Sequence, residues 1–138
     1  MSCDTVTPRT ICAPAVSVGP SPGRGRGVFA TRQFAPGEMI EMCLVVALSE
    51  ADARKLDATG LYDYYFGWAE DGRQAAIALG YGSIYNHSST PNAQHHKNFA
   101  ANTMSVIALR PIAAGEEIFI RYETGKGEVQ PAVWFEVR

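Results

Sequence analysis

The most informative stretch of this sequence is Leu79-Gly80-Tyr81-Gly82-Ser83-Ile84-Tyr85-Asn86-His87-Ser88-Ser89-Thr90-Pro91-Asn92. Apolar residues flank glycines that permit close backbone approach, and a run of polar side chains follows directly. Polar groups that apolar neighbours draw inside must find hydrogen-bond partners. The stretch therefore predicts a polar site against a buried surface rather than an ordinary surface turn.

Two further motifs lie on either side of this stretch. Gly25-Arg26-Gly27-Val28-Phe29-Ala30 precedes it, and Gly115-Glu116-Glu117-Ile118-Phe119-Ile120-Arg121-Tyr122 follows it. In this order the three motifs resemble those of SET-domain protein-lysine methyltransferases, whose signature is the central Asn-His-Ser. The likeness covers residues 23–122 and is greatest to the minimal viral and bacterial SET proteins, which lack zinc clusters before and after the domain. One short motif recurs by chance, whereas three in the family's order are specific.

The resemblance implies a fold class. We expect a mainly β SET-domain (β-clip) fold of several short sheets, with one short helix and a knot-like threading of the C-terminal segment. Within it we expect a loose N-terminal arm at 1–14, the SET domain at 15–124 and a C-terminal closing segment at 125–138.

Composition agrees with one folded domain. The chain has 138 residues, 46% of them hydrophobic and 19% charged, with a net charge of −2. That charge is too small for a protein that binds nucleic acid over its whole surface, so we expect no nucleic-acid partner. We also expect no membrane segment and an intracellular protein, cytoplasmic or nuclear. The three cysteines lack zinc-ligand spacing, so no metal is expected.

Local patterns predict the order of elements. Residues 19–27 are so rich in Gly and Pro that we expect a loop through which no strand continues. Ser49 is a candidate N-cap of one short helix, and Asp71-Gly72 is a candidate hairpin turn. Strands are expected at 15–18, 28–30, 38–48, 62–68, 74–79, 92–97, 103–109 and 117–122.

The chain contains a partial internal repeat. Ala30, Arg32, Ala35, Gly37, Glu38 and Ile40 recur with the same spacing as Ala108, Arg110, Ala113, Gly115, Glu116 and Ile118. Two such units predict paired strand-turn-strand hairpins in one sheet sandwich, with a glycine of positive φ at each turn.

The first motif, Gly25-Arg26-Gly27, has several interpretations. It could be a plain turn. It could be a phosphate-binding loop, but the Lys-Ser/Thr ending of such loops is missing here. It could be an RNA-binding Arg-Gly patch, but such patches need more repeats than this sequence has. A backbone cradle for an anionic group is the last. Because the other two motifs are present in the same chain, we favour the backbone cradle.

The central motif also has a structural alternative, since a buried Asn-His pair can join two loops by hydrogen bonds. In SET domains, by contrast, this pair contacts S-adenosylmethionine, and on that analogy His87 acts through position and main chain rather than as an acid or base. The resemblance implies that the cofactor S-adenosyl-L-methionine is bound by Gly25, Arg26, Gly27, Tyr85, Asn86, His87 and Trp134. Trp134 could equally belong to the core of a strand, or it could stack on adenine or line the channel.

The last motif carries the expected catalytic residue. Tyr122 could be a simple sheet aromatic, but the resemblance makes its hydroxyl catalytic. Methyl transfer to an amine needs no covalent enzyme intermediate, so positioning is the main source of rate. The resemblance also places Tyr64 and Ile120 with Tyr122 in a substrate channel, and the aliphatic Ile120 suggests room for more than one transfer.

These residues together predict an enzyme. We expect methyl transfer from S-adenosylmethionine to the ε-amine of a lysine in a protein, such as a histone tail or another basic protein. A catalytically silent SET-like module that binds peptides is the alternative, and a nucleic-acid-binding protein using Arg24 and Arg26 is a third hypothesis. The minimal viral relatives also suggest a homodimer.

Overall fold

A computed structural model describes residues 13–122. It has nine strands, one α-helix and one 3-10 helix in that part of the chain. In order they are β1 (Val16–Ser21), β2 (Gly25–Ala30), β3 (Met39–Leu48), α1 (Glu50–Leu56), the 3-10 helix (Gly60–Asp63), β4 (Phe66–Trp68), β5 (Gln74–Ala78), β6 (Asn86–His87), β7 (Ala93–Asn98), β8 (Thr103–Ala108) and β9 (Glu117–Ile120).

The strands form two sheets. One has the order β1-β2-β9-β6 and the other the order β4-β5-β3-β8-β7. Every pairing is antiparallel except that of β6 with β9, in which Asn86 lies beside Phe119 and His87 beside Ile120. The mainly β fold with one short α-helix is therefore confirmed. Strand β9, from the last motif, lies between strands from the first two; the rest of the C-terminal segment is outside the described residues.

The expectation of an uninterrupted loop at 19–27 was wrong. Strand β1 continues to Ser21 and β2 begins at Gly25, so the turn is short, with the Arg24 N–H bonded to the Ser21 carbonyl at 2.9 Å. Pro20 is tolerated because β1 lies at the edge of its sheet, where a missing N–H donor interrupts no inner ladder. The hairpin places Gly25 and Gly27 on a strand rather than in a free loop.

The strand expected at 62–68 was wrong in its first half. Residues Gly60–Asp63 form a 3-10 helix, which Thr59 begins by accepting a hydrogen bond from the Leu61 N–H. Only Phe66–Trp68 is a strand. Just before this strand, Tyr65 is buried and bonded to Asp57, while Tyr64 stays 45% exposed.

Helix α1 begins where the sequence predicted. The Ser49 hydroxyl accepts a hydrogen bond from the Asp52 N–H at 3.1 Å, acidic residues occupy the first turn and basic residues the last. This arrangement satisfies an otherwise unpaired N–H group and complements the helix dipole. The helix covers the sheet at Ala75 and Tyr65.

The paired hairpins expected from the internal repeat do not form, because β2 and β9 belong to one sheet and β3 and β8 to the other. Each unit instead links the two sheets through a turn, and the two turns bond to each other's units reciprocally. Gly37 donates its N–H to the Ala108 carbonyl at 2.8 Å, and Gly115 donates to the Ala30 carbonyl at 2.7 Å, both glycines having the expected positive φ. Each unit also has its own ion pair, Arg32–Glu38 at 2.8 Å and Arg110–Glu116 at 3.0 Å. Phe34 and Ile112 form a bridge between the two units. The spacing in the sequence thus corresponds to an approximate two-fold relationship.

The largest core cluster draws its buried residues from strands β1, β2, β3, β7, β8 and β9 and from the two turns of the internal repeat. Its fully buried members include Val28, Ile112, Ile118 and Ile120. Burial of each such side chain stabilises the fold by about 1.5–3 kcal/mol relative to exposure. Tyr85 and the partly buried Tyr122 pack on the same cluster, so the core directly supports the residues that the sequence singled out.

Candidate functional site

The three motifs meet in the first sheet. Strand β9 pairs with β2 on one side and with β6 on the other. Asn92, which is 1% exposed, holds β9 in place: its side chain accepts from the Phe119 N–H at 2.8 Å and donates to the Glu117 carbonyl at 2.8 Å. Residues far apart in the sequence therefore converge on one region.

The amide of Asn86 has a fixed orientation. Its Nδ2 donates to the Arg26 carbonyl at 2.8 Å and to Glu117 Oε2 at 2.9 Å. Glu117 is itself held by the Ser21 hydroxyl, which donates to Oε1 at 2.8 Å. Because both amide protons are used, Oδ1 is the acceptor that the side chain offers to a ligand.

Gly27 allows this close approach. A Cβ at this position would overlap Glu117 Oε2 and would lie 2.9 Å from Glu117 Cδ and 3.0 Å from Asn86 Nδ2. The absence of a side chain at Gly27 is thus what lets the Glu117–Asn86 contact form against strand β2.

Tyr122 is joined to the central motif at both ends. Its hydroxyl donates to the Tyr85 carbonyl at 2.8 Å, and its N–H donates to His87 Nδ1 at 2.9 Å. The rings of His87 and Tyr122 lie 5.2 Å apart. These contacts fix both the backbone and the phenol of Tyr122.

Burial, with smaller contributions from the neighbouring Tyr64 and Asp63 and against a lowering by Arg24, raises the pKa of Tyr122 to about 12. The phenol is therefore neutral near pH 7 and acts there as a hydrogen-bond donor. It is not a base that could remove a proton from a lysine.

His87 has a defined tautomer. Since Nδ1 accepts from a backbone N–H, the ring proton of the neutral form lies on Nε2. Burial lowers the pKa of His87, and Arg121 and Arg24 lower it further. A neutral, hydrogen-bonded imidazole agrees with the expectation that this residue acts through position.

Tyr85 and Ile120 lie deeper than the other candidates. Tyr85 is 1% exposed, and its hydroxyl donates to Glu41 Oε1 at 2.7 Å. Ile120 is 0% exposed in the core cluster against which Tyr122 packs. Tyr85 thus faces the site with its carbonyl rather than its ring, and Ile120 lies behind the tyrosines.

Tyr64 stands on the outer side of Tyr122. Its carbonyl accepts from the Ser83 hydroxyl at 2.7 Å, which ties the end of the 3-10 helix to the central motif. Tyr64 and Asp63 are both exposed, and both act electrostatically on the Tyr122 phenol. The charge environment of the Tyr122 phenol therefore includes both of these exposed residues.

Arg24 brings positive charge to this region. Its guanidinium lies 5.0 Å from the centre of the Phe119 ring, a cation–π geometry. Its charge also affects His87 and Tyr122. The structure brings Gly25, Arg26 and Gly27 to the same strand, with Arg26 exposed and its carbonyl bonded to Asn86.

Sequence reasoning missed three residues of this region. These are Glu41, Glu117 and Arg24. The contacts of Glu41 and Glu117, and the effect of the Arg24 charge on His87 and Tyr122, depend on the packing of distant segments. The acidic residue inside the apolar strand β3 was the available signal for Glu41. Trp134, the arm at 1–12 and the closing segment at 125–138 lie outside the described residues.

Comparison with known proteins gives a consistent result. Residues 25–123 match the family model of the SET domain. The chain is 36% identical over 100 residues to "Histone-lysine N-methyltransferase, H3 lysine-37 specific" of Schizosaccharomyces pombe, covering 72% of this chain and 67% of that protein. It is 30% identical over 127 residues to "N-lysine methyltransferase KMT5A-A" of Danio rerio, covering 81% of this chain but only 36% of that protein.

Among solved structures, a candidate histone methyltransferase of Plasmodium falciparum superposes with a TM-score of 0.65 at 31% identity, over 83% of this chain and 97% of that one. The resemblance drawn from the three motifs, and the enzyme class that it implies, are confirmed. The likeness to minimal viral and bacterial forms and the division into arm, domain and closing segment stay predictions.

The described part of the chain lacks a membrane-spanning helix and a cluster of metal-ligating side chains. Between residues 13 and 122 no helix is long and apolar enough to span a membrane. In the same range no three or more His, Cys, Asp and Glu residues gather into a group that could hold a metal.

Proposed function

Since this chain belongs to the SET-domain family and is a protein-lysine methyltransferase, we propose that it uses S-adenosyl-L-methionine to methylate the ε-amine of a lysine, with Tyr122 as the catalytic hydroxyl. The observation that carries the proposal is the convergence of Asn86, the Arg26 carbonyl, the Tyr85 carbonyl and the Tyr122 hydroxyl on one region. These are polar groups of a positioning site, held by hydrogen bonds before any ligand arrives.

The residues fit the amino-acid end of the cofactor. Asn86 presents Oδ1 as an acceptor for an ammonium group, and Arg24 supplies a cation for a carboxylate. We assign cofactor binding to these two residues together with the backbone of Gly25, Arg26 and Gly27 and with His87. Trp134 remains assigned to the cofactor by family resemblance.

The chemistry then needs little from the protein beyond placement. When bound, the cofactor supplies a methyl group on a sulfonium, so that the lysine N–C bond forms as the S–C bond breaks, the electron pair moves to sulfur and the amine proton leaves to water. The neutral Tyr122 phenol orients the amine without taking its proton. The Tyr85 carbonyl accepts from that phenol and keeps it in place.

A basic substrate suits the outer side of the site. Tyr64 is 45% exposed, and Asp63 adds negative charge nearby. We assign the lysine channel to Tyr64, Ile120 and Tyr122, with Ile120 as a buried wall. A histone tail or another basic protein is the proposed substrate, in agreement with the histone activity named for the Schizosaccharomyces pombe relative. A nuclear or cytoplasmic location and a homodimer belong to the same proposal.

The proposal is tested by incubating the full chain with isotopically labelled S-adenosylmethionine and a panel of basic proteins that includes histones, followed by mass spectrometry. We expect labelled methyl groups on lysine. Tyr122→Phe should lose most of this transfer, yet bind S-adenosylhomocysteine with unchanged affinity in calorimetry. Tyr62→Phe is the matched control, because its ring packs against Tyr65 beneath helix α1.

The outcomes separate two functions. Cofactor binding with lysine methylation supports the enzyme. Peptide binding without cofactor binding or transfer supports the catalytically silent module instead. Full activity of Tyr122→Phe would remove Tyr122 from the mechanism while leaving the enzyme in place.

A further inference from the structure

Strand β3 buries a carboxylate that the proposed reaction does not use. Glu41 is 6% exposed, although its neighbours along the strand are apolar. Its Oε1 accepts from the Tyr85 hydroxyl at 2.7 Å, and its Oε2 accepts from the Tyr81 N–H at 3.0 Å. One carboxylate thus binds both ends of the segment 81–85.

The chain leaves space for this carboxylate. Gly80 has a φ of +71°, and a Cβ there would lie 2.5 Å from Glu41 Oε2. The segment can approach Glu41 because this residue is glycine. Inside the segment the Ile84 N–H bonds to the Tyr81 carbonyl at 2.9 Å, so 81–85 is a closed turn.

The same segment ends at the Tyr122 hydroxyl. The Tyr85 ring points toward Glu41, while its carbonyl accepts from Tyr122 at 2.8 Å. Because Glu41 also accepts from the Tyr81 N–H, it restrains the backbone turn that carries this carbonyl as well as the Tyr85 ring. Glu41 is therefore connected to Tyr122 through one residue, Tyr85, and through the turn that precedes it.

We infer that Glu41 is a positioning residue for methyl transfer: through Tyr81 and Tyr85 it fixes the carbonyl that orients the Tyr122 hydroxyl. This inference deepens the proposed function and rests on it. Glu41 does not touch the reacting atoms, and its effect passes through Tyr85.

The burial of the pair supports this role. Burial raises the pKa of Tyr85 well above its ordinary value, and the nearby Glu41 raises it further. The Tyr85 hydroxyl therefore stays protonated and remains a donor to Glu41. A hydrogen bond from a hydroxyl to a carboxylate is also shorter and stronger than one between neutral groups.

The test compares Glu41→Gln, Tyr85→Phe and their double variant in the full chain. Both single changes weaken or remove the Glu41–Tyr85 bond with little change in volume. Glu38→Gln is the matched control: the same chemical change directly before strand β3, where the carboxylate bonds Arg32 and the Ala35 N–H instead. Circular dichroism and thermal unfolding establish the temperature range in which all variants are folded.

In that range we expect Glu41→Gln and Tyr85→Phe each to lower kcat about tenfold, because small displacements at a reacting centre cost large factors in rate. KM for the peptide and the Kd of S-adenosylhomocysteine should stay within about twofold of the parent values, since neither ligand touches Glu41. The double variant should lose little more than either single one, because both changes break one contact. Glu38→Gln should behave like the parent.

A second readout does not depend on activity. With tyrosine labelled at Cζ by carbon-13, the Tyr122 signal is identified by its absence in Tyr122→Phe. We expect it to move in Glu41→Gln and Tyr85→Phe and to stay in place in Glu38→Gln. Absence of methyl transfer by the parent protein would refute the proposed function. The Tyr122 signal would still show whether Glu41 affects the Tyr122 hydroxyl.

Two results would overturn the inference. One is a lower unfolding temperature in Glu41→Gln with unchanged kcat and an unchanged Tyr122 signal, which indicates a purely structural carboxylate. The other is additive losses of kcat in the double variant, which indicates that Glu41 and Tyr85 act separately.

Discussion

His87 and Tyr122 are joined twice: His87 Nδ1 accepts from the Tyr122 N–H at 2.9 Å, and the two rings lie 5.2 Å apart. Protonation of His87 would place a second proton on the ring and remove that acceptor. The residue of the family signature therefore holds the proposed catalytic tyrosine only while its imidazole is neutral.

This relationship predicts an acid-sensitive fold. Because the folded state lowers the pKa of His87, the unfolded chain binds the proton more readily, so the stabilisation exists above the ordinary pKa and is lost as pH falls through the folded value. The free energy of unfolding, from urea titrations, should decline below about pH 6.5. His87→Asn should flatten that decline, whereas His96→Asn, a change at an exposed ring, should leave its slope unaltered. Equal slopes for His87→Asn and the parent would contradict the argument.

Glu117 should control cofactor affinity through Asn86. In Glu117→Ala the Asn86 amide loses one of its two acceptors and can rotate, so Oδ1 is no longer directed. We expect the Kd of S-adenosylhomocysteine in calorimetry to rise about tenfold, a cost of about 1.4 kcal/mol. Glu38→Ala removes a carboxylate from an ion pair in the turn of the other repeat unit and should leave this Kd unchanged. Unaltered affinity in Glu117→Ala would mean that Arg26 alone orients the amide.

Gly27→Ala should disturb the same contact sterically. The new methyl group overlaps Glu117 Oε2 and crowds Asn86 Nδ2. We expect a loss of about 1–3 kcal/mol in the free energy of unfolding, together with weaker cofactor binding. Gly60→Ala is a suitable control, because a Cβ at Gly60 meets no atom within 4 Å. A Gly27→Ala protein with the stability and affinity of Gly60→Ala would show that the strands simply move apart.

The contact between the two turns of the internal repeat should contribute much of the stability of the fold. Phe34 is 1% exposed and forms the bridge to Ile112. Phe34→Ala should therefore reduce the free energy of unfolding by about 3–5 kcal/mol. The partly exposed Phe99, whose ring meets only the edge of Trp68 at 5.0 Å among the ring contacts described, provides the comparison. A similar loss in Phe99→Ala would show that the contact between Phe34 and Ile112 contributes no more to stability than an aromatic contact near the surface.

The sequence predicted those structural features that depend on residues close together in the chain, and it did not predict those that depend on distant residues. Helix α1 was predicted well, because the cap and the charges that define it lie within a few residues. The hairpin at β1 and β2 was missed, because Pro20 and the glycines disfavour a strand locally and only the edge position in the sheet makes them acceptable. The 3-10 helix was missed because an aromatic run matches a strand by propensity, whereas the Thr59 cap decides otherwise.

The site divides in the same way. Motif order identified Asn86, His87 and Tyr122, and the structure brings them together. Their supporting residues were not predictable, since Glu41 and Glu117 reach partners 44 and 31 positions away in the chain. An acidic residue in a strand is normally taken as facing solvent, so only tertiary packing shows that Glu41 points inward.

The central position of β9 in its sheet has a consequence for synthesis. A growing chain on the ribosome can pair β1 with β2, but β2 and β6 keep exposed edges until residue 120 has emerged. Unpaired edges invite association with other chains. Pairings between such distant segments also close slowly. The nascent protein should therefore be a client of chaperones until its last described strand arrives, and competence to bind the methyl donor should appear in a single late step.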